Sequence, residues 1–240
     1  MYYMYPPAMD LSKIASSDKV KKAQKDFEAT HVRPERLMKT LFTDEAYVKA
    51  NVDEARLMRR LFDLACNMQS HDTDMLLNSL FTDEECYDLW SCNNLYWYLT
   101  HACSPVTDGL MPYRDADLLR NILDRADAAL KEGKNQATLR FGLESCLLPL
   151  VALLELNHYG ESYPDVEKLS EQWRAYDIFP MASNVQFVFF HKKGSNDVLV
   201  KVLLNEKEAK LPVKTDVAPY YHWKDVESYY REKLDKYQHI

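Results

Sequence analysis

A chain of 240 residues, 47% hydrophobic and 28% charged, can hold one large globular domain or two modest ones and is too apolar to be disordered. Its formal charge of −7 argues against general nucleic-acid binding, which needs clustered Lys and Arg, but still allows a local basic funnel for a phosphorylated small molecule. No apolar run approaches the ~20 residues that would span a bilayer.

The opening Met1-Tyr-Tyr-Met-Tyr-Pro-Pro7 has neither a basic n-region nor a continuous apolar core, so it does not read as a signal peptide. From about Asp10 to Lys131 the apolar residues recur with helical spacing. Pro34 suits the first turn of a helix carrying Leu37, Met38 and Leu41. Asp53 can cap a helix whose stripe is Leu57, Leu61, Leu64 and Met68. Thr82-Asp-Glu-Glu85 is a capping box that opens a helix with Cys86, Leu89 and Trp90. Asp115 can cap another, with Leu119, Ile122, Leu123, Ala126 and Leu130 facing inward. Helices this amphipathic need a partner surface, so residues 10–131 are expected to form one helical domain.

After Gly133 the pattern changes. Residues 137–142 read as a short strand and 146–157 as a buried helix. Val185–His191 and Val198–Leu204 flank Gly194-Ser-Asn-Asp197 as an antiparallel hairpin. Trp223 to Leu234 reads as a last amphipathic helix, capped near His222. Residues 132–240 are therefore expected to be α/β. The five cysteines have no metal-like spacing, their odd number leaves a free thiol unless it pairs between chains, and no metal or cofactor is implied.

The segment Arg140-Phe-Gly-Leu-Glu-Ser-Cys-Leu-Leu-Pro-Leu150 resembles the second signature of the histidine acid phosphatases, in which a strand ends in Phe-Gly-His-Asp or a variant of it, followed by Leu-Leu-Pro-Leu. Phe179–Asn184, Leu203-Leu-Asn-Glu206 and Lys214–Trp223 also look like the C-terminal half of this family. Leu89-Trp90 and Tyr96-Trp97-Tyr98-Leu99 resemble its inserted helical domain, and the nearest likeness is to the bacterial multiple inositol polyphosphate phosphatases. The resemblance implies an α/β fold: the C-terminal part of a histidine phosphatase core, a mixed sheet with flanking helices, beside an α-helical domain. It also implies hydrolysis of phosphomonoesters, with inositol phosphates as ligands, and a periplasmic or secreted setting.

In that family an Arg-His-Gly-x-Arg motif supplies the histidine that attacks phosphorus, and its arginines clamp the phosphoryl oxygens. The second signature adds a phosphate-binding histidine and an acid that protonates the leaving alkoxide. None of the seven histidines here lies between Arg and Gly, and the signature histidine is Leu143. Glu144 holds the acid position under a His-Asp-Thr template; under a His-Ala-Glu-Thr template that position falls on Ser145. Arg140, Ser145 and Asn184 are the candidate phosphate-binding residues.

Each candidate has a plainer use. Glu144 suits a helix N-terminus, Arg140 an internal partner, and Ser183 and Asn184 the bonding of their own turn. His71-Asp72-Thr73 copies the family triplet but follows a helix. Lys19, Lys21, Lys22 and Lys25 suit a solvated helix face, and Tyr96, Trp97 and Tyr98 suit packing. The expectation is a catalytically inactive C-terminal portion of a phosphatase whose upstream half would carry the nucleophile. The alternatives are a non-catalytic pseudophosphatase that binds a phosphorylated ligand or a protein, and a purely helical interaction module. With the nucleophile-bearing strand missing beside 137–142, an open sheet edge is expected, or one closed by a second copy.

Overall fold

Side-chain caps set where several of the helices begin. Asp44 accepts from the Tyr47 amide at 2.9 Å and Asp53 from the Arg56 amide at 3.0 Å. The capping box is reciprocal: the Thr82 hydroxyl accepts from the Glu85 amide at 3.2 Å, and the Glu85 carboxylate accepts from the Thr82 amide at 2.9 Å. Asp115 precedes its helix without its side chain capping that helix. Buried at 2% exposure, its carboxyl faces the interior, and the expected cap is not made.

The computed structural model describes residues 9–134 and 136–237; the Met1–Pro7 segment and His239 lie outside these. The helices are α1 (Met9–Ala15), α2 (Asp18–His31), α3 (Glu35–Leu41), α4 (Glu45–Asn51), α5 (Glu54–Asn67) and α6 (Asp83–His101). Then follow α7 (Ala116–Glu132), α8 (Glu144–Leu153), α9 (Leu169–Gln172), α10 (Ala175–Ile178) and α11 (Trp223–Tyr237). The strands are β1 (Val185–His191), β2 (Val198–Leu204), β3 (Lys207–Glu208) and β4 (Tyr221–His222). Among the described residues no helix is long and apolar enough to cross a membrane.

The chain divides into two units, one of residues 21–96 and one of residues 97–240 with the start of the chain up to Val20. In the first unit Leu37, Met38, Val48, Met58, Ala65, Phe81 and Leu89 form the core. The stripe expected on α5 is displaced by one residue: Met58 and Ala65 are buried, Leu57 and Leu61 flank the core, and Leu64 is 46% exposed. Arg36 ties α3 to α6, donating to Glu85 at 2.7 Å and to the Leu80 carbonyl at 2.6 Å. The lysines at 19, 21, 22 and 25 lie on an exposed face of α2.

In the second unit β2 is central. It pairs antiparallel with β1 from Val185↔Leu204 to His191↔Val198, with β3 at Leu203↔Glu208, and with β4 at Val200↔Tyr221. The expected hairpin is present, turned at Gly194 with φ of +82°. Helices flank this sheet, as an α/β reading requires. The sheet is antiparallel throughout the described residues, and 137–142 is not part of it. That segment has neither turn nor bend, but no neighbouring strand offers it a hydrogen-bond ladder, so it is not a strand.

The expected 10–131 boundary also shifts, because α7 is bound to the C-terminal part. Arg231 of α11 pairs with Asp124 at 2.9 Å and Asp127 at 2.8 Å, and the Trp223 indole donates to Asp127 at 2.9 Å.

Candidate functional site

Helix α8 is apolar nearly all round, and its residues from Leu148 to Leu153 are all buried. It ends earlier than the expected Asn157. Glu155 and Asn157 take left-handed backbone conformations, and the Asn157 amide donates to the Lys210 carbonyl at 2.9 Å. Helix α11 secures this end: the Tyr230 hydroxyl donates to the Leu154 carbonyl at 2.7 Å, and Lys233 pairs with Glu155 at 2.9 Å. Gly160 is required here, since a Cβ would lie 2.5 Å from Glu155 Cγ.

The opposite end of α8 faces solvent. Leu143 sits at the N-cap with φ −106° and ψ 165° and contributes no side-chain cap. Glu144, the acid candidate, is exposed in the first turn, and Ser145 is half-buried behind it. The amides of Cys146 and Leu147 both return to the Leu143 carbonyl, at 2.9 and 3.1 Å. A carboxylate at this end is favoured by the helix dipole.

Arg140 is half-buried and donates to the Asn121 side chain of α7 at 2.8 Å, while its Nε is buried without a partner. The internal partner expected for it is thus an amide, not a carboxylate. The Asn184 side chain donates to the Ala182 carbonyl at 3.2 Å and accepts from Gln186 at 2.9 Å. Its backbone carbonyl accepts from the Asn205 amide at 2.8 Å. Asn184 is thereby committed to the base of the hairpin. No hydrogen bond or ion pair joins it to Arg140, Glu144 or Ser145, which are neighbours along the chain.

None of the histidines among the described residues bonds to Glu144. His31 stacks on Phe27 at 3.7 Å between ring centroids. His222 lies between Asp197 and Asp216, at 3.0 and 2.9 Å, and bonding to these carboxylates raises its pKa. His101 is buried beside Arg114, and burial followed by that charge lowers its pKa to about 4, so it is neutral. His191 bonds to the Ser195 carbonyl at 2.8 Å. His71 is exposed beside a turn closed by Thr73, whose hydroxyl accepts from the Met75 amide at 3.2 Å.

Asp115, which no motif singled out for chemistry, carries a strongly perturbed carboxyl. Burial pushes it up to about 8 against the opposing pull of Arg114, and its Oδ2 has no partner. The cysteines are all free. Burial raises Cys92 to about 12 and Cys103 to about 11, which suppresses their thiolates. No group of three or more metal-binding side chains occurs among the described residues.

In the 21–96 unit a cavity of about 450 Å³ is lined by Arg56, Arg59 and Arg60 with Gln24, Asn93 and Tyr96. Arg59 is ion-paired with Glu28 there, and Arg60 lies 3.5 Å from Asp63. Arg140, Glu144, Ser145 and Asn184 do not line it, whereas Tyr96, expected to serve packing, does. Its arginines recur on one face of α5 at spacings of three and four, a pattern present in the sequence that gains meaning only once that face is seen to border a hollow.

No protein-family model matches the chain, and none of the curated proteins does. Its fold does match crystal structures of the Bifidobacterium longum multiple inositol polyphosphate phosphatase. With the inositol hexasulfate complex the TM-score is 0.71 at 18% identity, over 93% of this chain and 57% of that one. With the phosphate complex it is 0.64 at 19%, over 93% and 55%, and with the apo form 0.59 at 19%, over 91% and 54%. At this level of identity the likeness is one of fold. The chain is similar in fold to a little over half of a multiple inositol polyphosphate phosphatase.

Proposed function

We propose that this chain is the helical domain and C-terminal core half of a histidine acid phosphatase-like protein. Its inherited chemistry is the hydrolysis of phosphomonoesters, inositol polyphosphates among them, and the chain as written is inactive by itself. The observation that carries this reading is the fold likeness over 93% of the chain combined with Leu143 at the signature-histidine position.

The chemistry explains the inactivity. Phosphoryl transfer through phosphohistidine needs an imidazole in line with phosphorus, cations on the equatorial oxygens and an acid for the alkoxide. Glu144 can supply the proton, and Arg140 and Ser145, on either side of the turn into α8, can meet a phosphoryl oxygen. Leu143 neither donates a hydrogen bond nor carries charge. No histidine in the described residues bonds to Glu144, and the reading takes the attacking imidazole to lie in other polypeptide. The setting proposed from the same resemblance is the periplasm or the cell exterior.

An assay at acid pH with p-nitrophenyl phosphate and with phytate should give no turnover, and Leu143→His alone should restore none, since phosphorus still lacks its attacker. Hydrolysis that is lost in Glu144→Gln would overturn the reading.

One observation favours a second reading, a pseudophosphatase that binds a phosphorylated ligand or a protein partner. The amides of Glu144 and Ser145 have no backbone acceptor among the described residues, leaving donors free for an anion at the start of α8. Saturable binding of inorganic phosphate without turnover, weakened by Arg140→Ala, would select it.

A further inference from the structure

Three large apolar side chains stand in solvent along one short run of chain. Leu139 is 76% exposed, Phe141 77% and Leu143 57%. They alternate with Arg140 and Gly142, so in an extended backbone they share one face. Their main chain is open as well. Among the described residues no N–H or C=O group from Ala137 to Gly142 bonds to another backbone group. The run is nonetheless held in place: Arg140 is fastened to Asn121 at 2.8 Å, and Leu143 leads directly into the buried helix α8. It is a strand-like template with an unfilled ladder and an unfilled apolar face, the combination that recruits another strand.

We propose that the occupant is the same segment of a second copy, paired antiparallel about a two-fold axis at Phe141. The sequence is self-complementary in that register. Leu139 faces Leu143 of the other copy, Phe141 faces Phe141, and Arg140 faces Gly142. All three apolar residues then meet apolar residues, and the guanidinium lies opposite the one residue with no side chain. Centring the pair on Arg140 would set two like charges directly across from each other, which is unfavourable. The two-fold axis fixes the interface as isologous. Five residues a side, Leu139 to Leu143, is well below the roughly 20–30 of a standard interface, so the dimer is weak and concentration-dependent. This inference does not rest on any phosphatase activity.

Sedimentation velocity from about 1 to 100 µM, the range of a weak interface, should show the 28.1 kDa chain moving towards twice that mass. Phe141→Lys should weaken this association at least tenfold. Leu76→Lys, at a site 74% exposed in the other unit, should leave it unchanged. Phe141→Cys should oxidise to a 141–141 cross-link found by peptide mass mapping, because directly opposed residues of an antiparallel pair lie about 4.5–5.5 Å apart at Cα, within disulfide reach. A monomer at every concentration overturns the proposal, as does a dimer that Phe141→Lys leaves intact. So does a cross-link formed only to another polypeptide. Because Phe141 is exposed, unchanged circular dichroism of each variant separates lost pairing from lost folding.

Discussion

Leu143 and Asp115 show how much one side chain decides in this protein. In the proposed reading Leu143 puts an alkyl group at the start of α8 where the resemblance implies an imidazole, and the proposed phosphate site loses its central member. Asp115 has a carboxyl raised to about 8 because it is buried. Its folded pKa lies above the unfolded value, so between about pH 4 and 8 the unfolded chain gives up the proton first. Stability therefore falls as pH rises, by at most about 1.4 kcal/mol per pH unit. His101 has the opposite sign. With its folded value lowered to about 4, the unfolded chain takes up the proton first, and stability is lost as pH falls from about 6.5 towards 4. Thermal melts across this range should show Asp115→Asn flattening the decline on the alkaline side and His101→Gln flattening the acid limb. Profiles parallel to the parent chain would remove both assignments.

At the scale of elements, local chemistry and long-range pairing part ways. The Asp53 cap, the Thr82–Glu85 box and the Gly194 hairpin were all legible, because each is closed by residues within a few positions of one another. Thr82→Ala should cost about 1 kcal/mol, read as a lower denaturation midpoint, since it removes the acceptor for the Glu85 amide. Glu85→Ala should cost more, because Glu85 also bonds to Arg36 at 2.7 Å. The segment 137–142 has strand composition and no strand partner, and a ladder cannot form from one side. Its Leu139 and Phe141 stand exposed. Helix α8 is shorter than its apolar run for a related reason: Leu154 and Leu156 are buried, yet the backbone has already left the helix, drawn off by the Lys210 contact.

Across the whole molecule, short patterns in the chain were enough to read the helical content of the first half, several helix starts, the hairpin and its turn, and a resemblance that the fold comparison matches over most of the chain. These are encoded in short periodic patterns and in ordered motifs, which need no knowledge of what lies across the fold. Long-range packing, in contrast, joins α7 to α11, through Arg231 and residues more than a hundred positions away. It also turns Asp115 inward, ties Asn184 to Asn205 across the base of the hairpin, and leaves 137–142 without a ladder. Each of these depends on which distant groups come into contact, and burial, charge pairing and strand addition are set by those contacts, which no local stretch of residues contains.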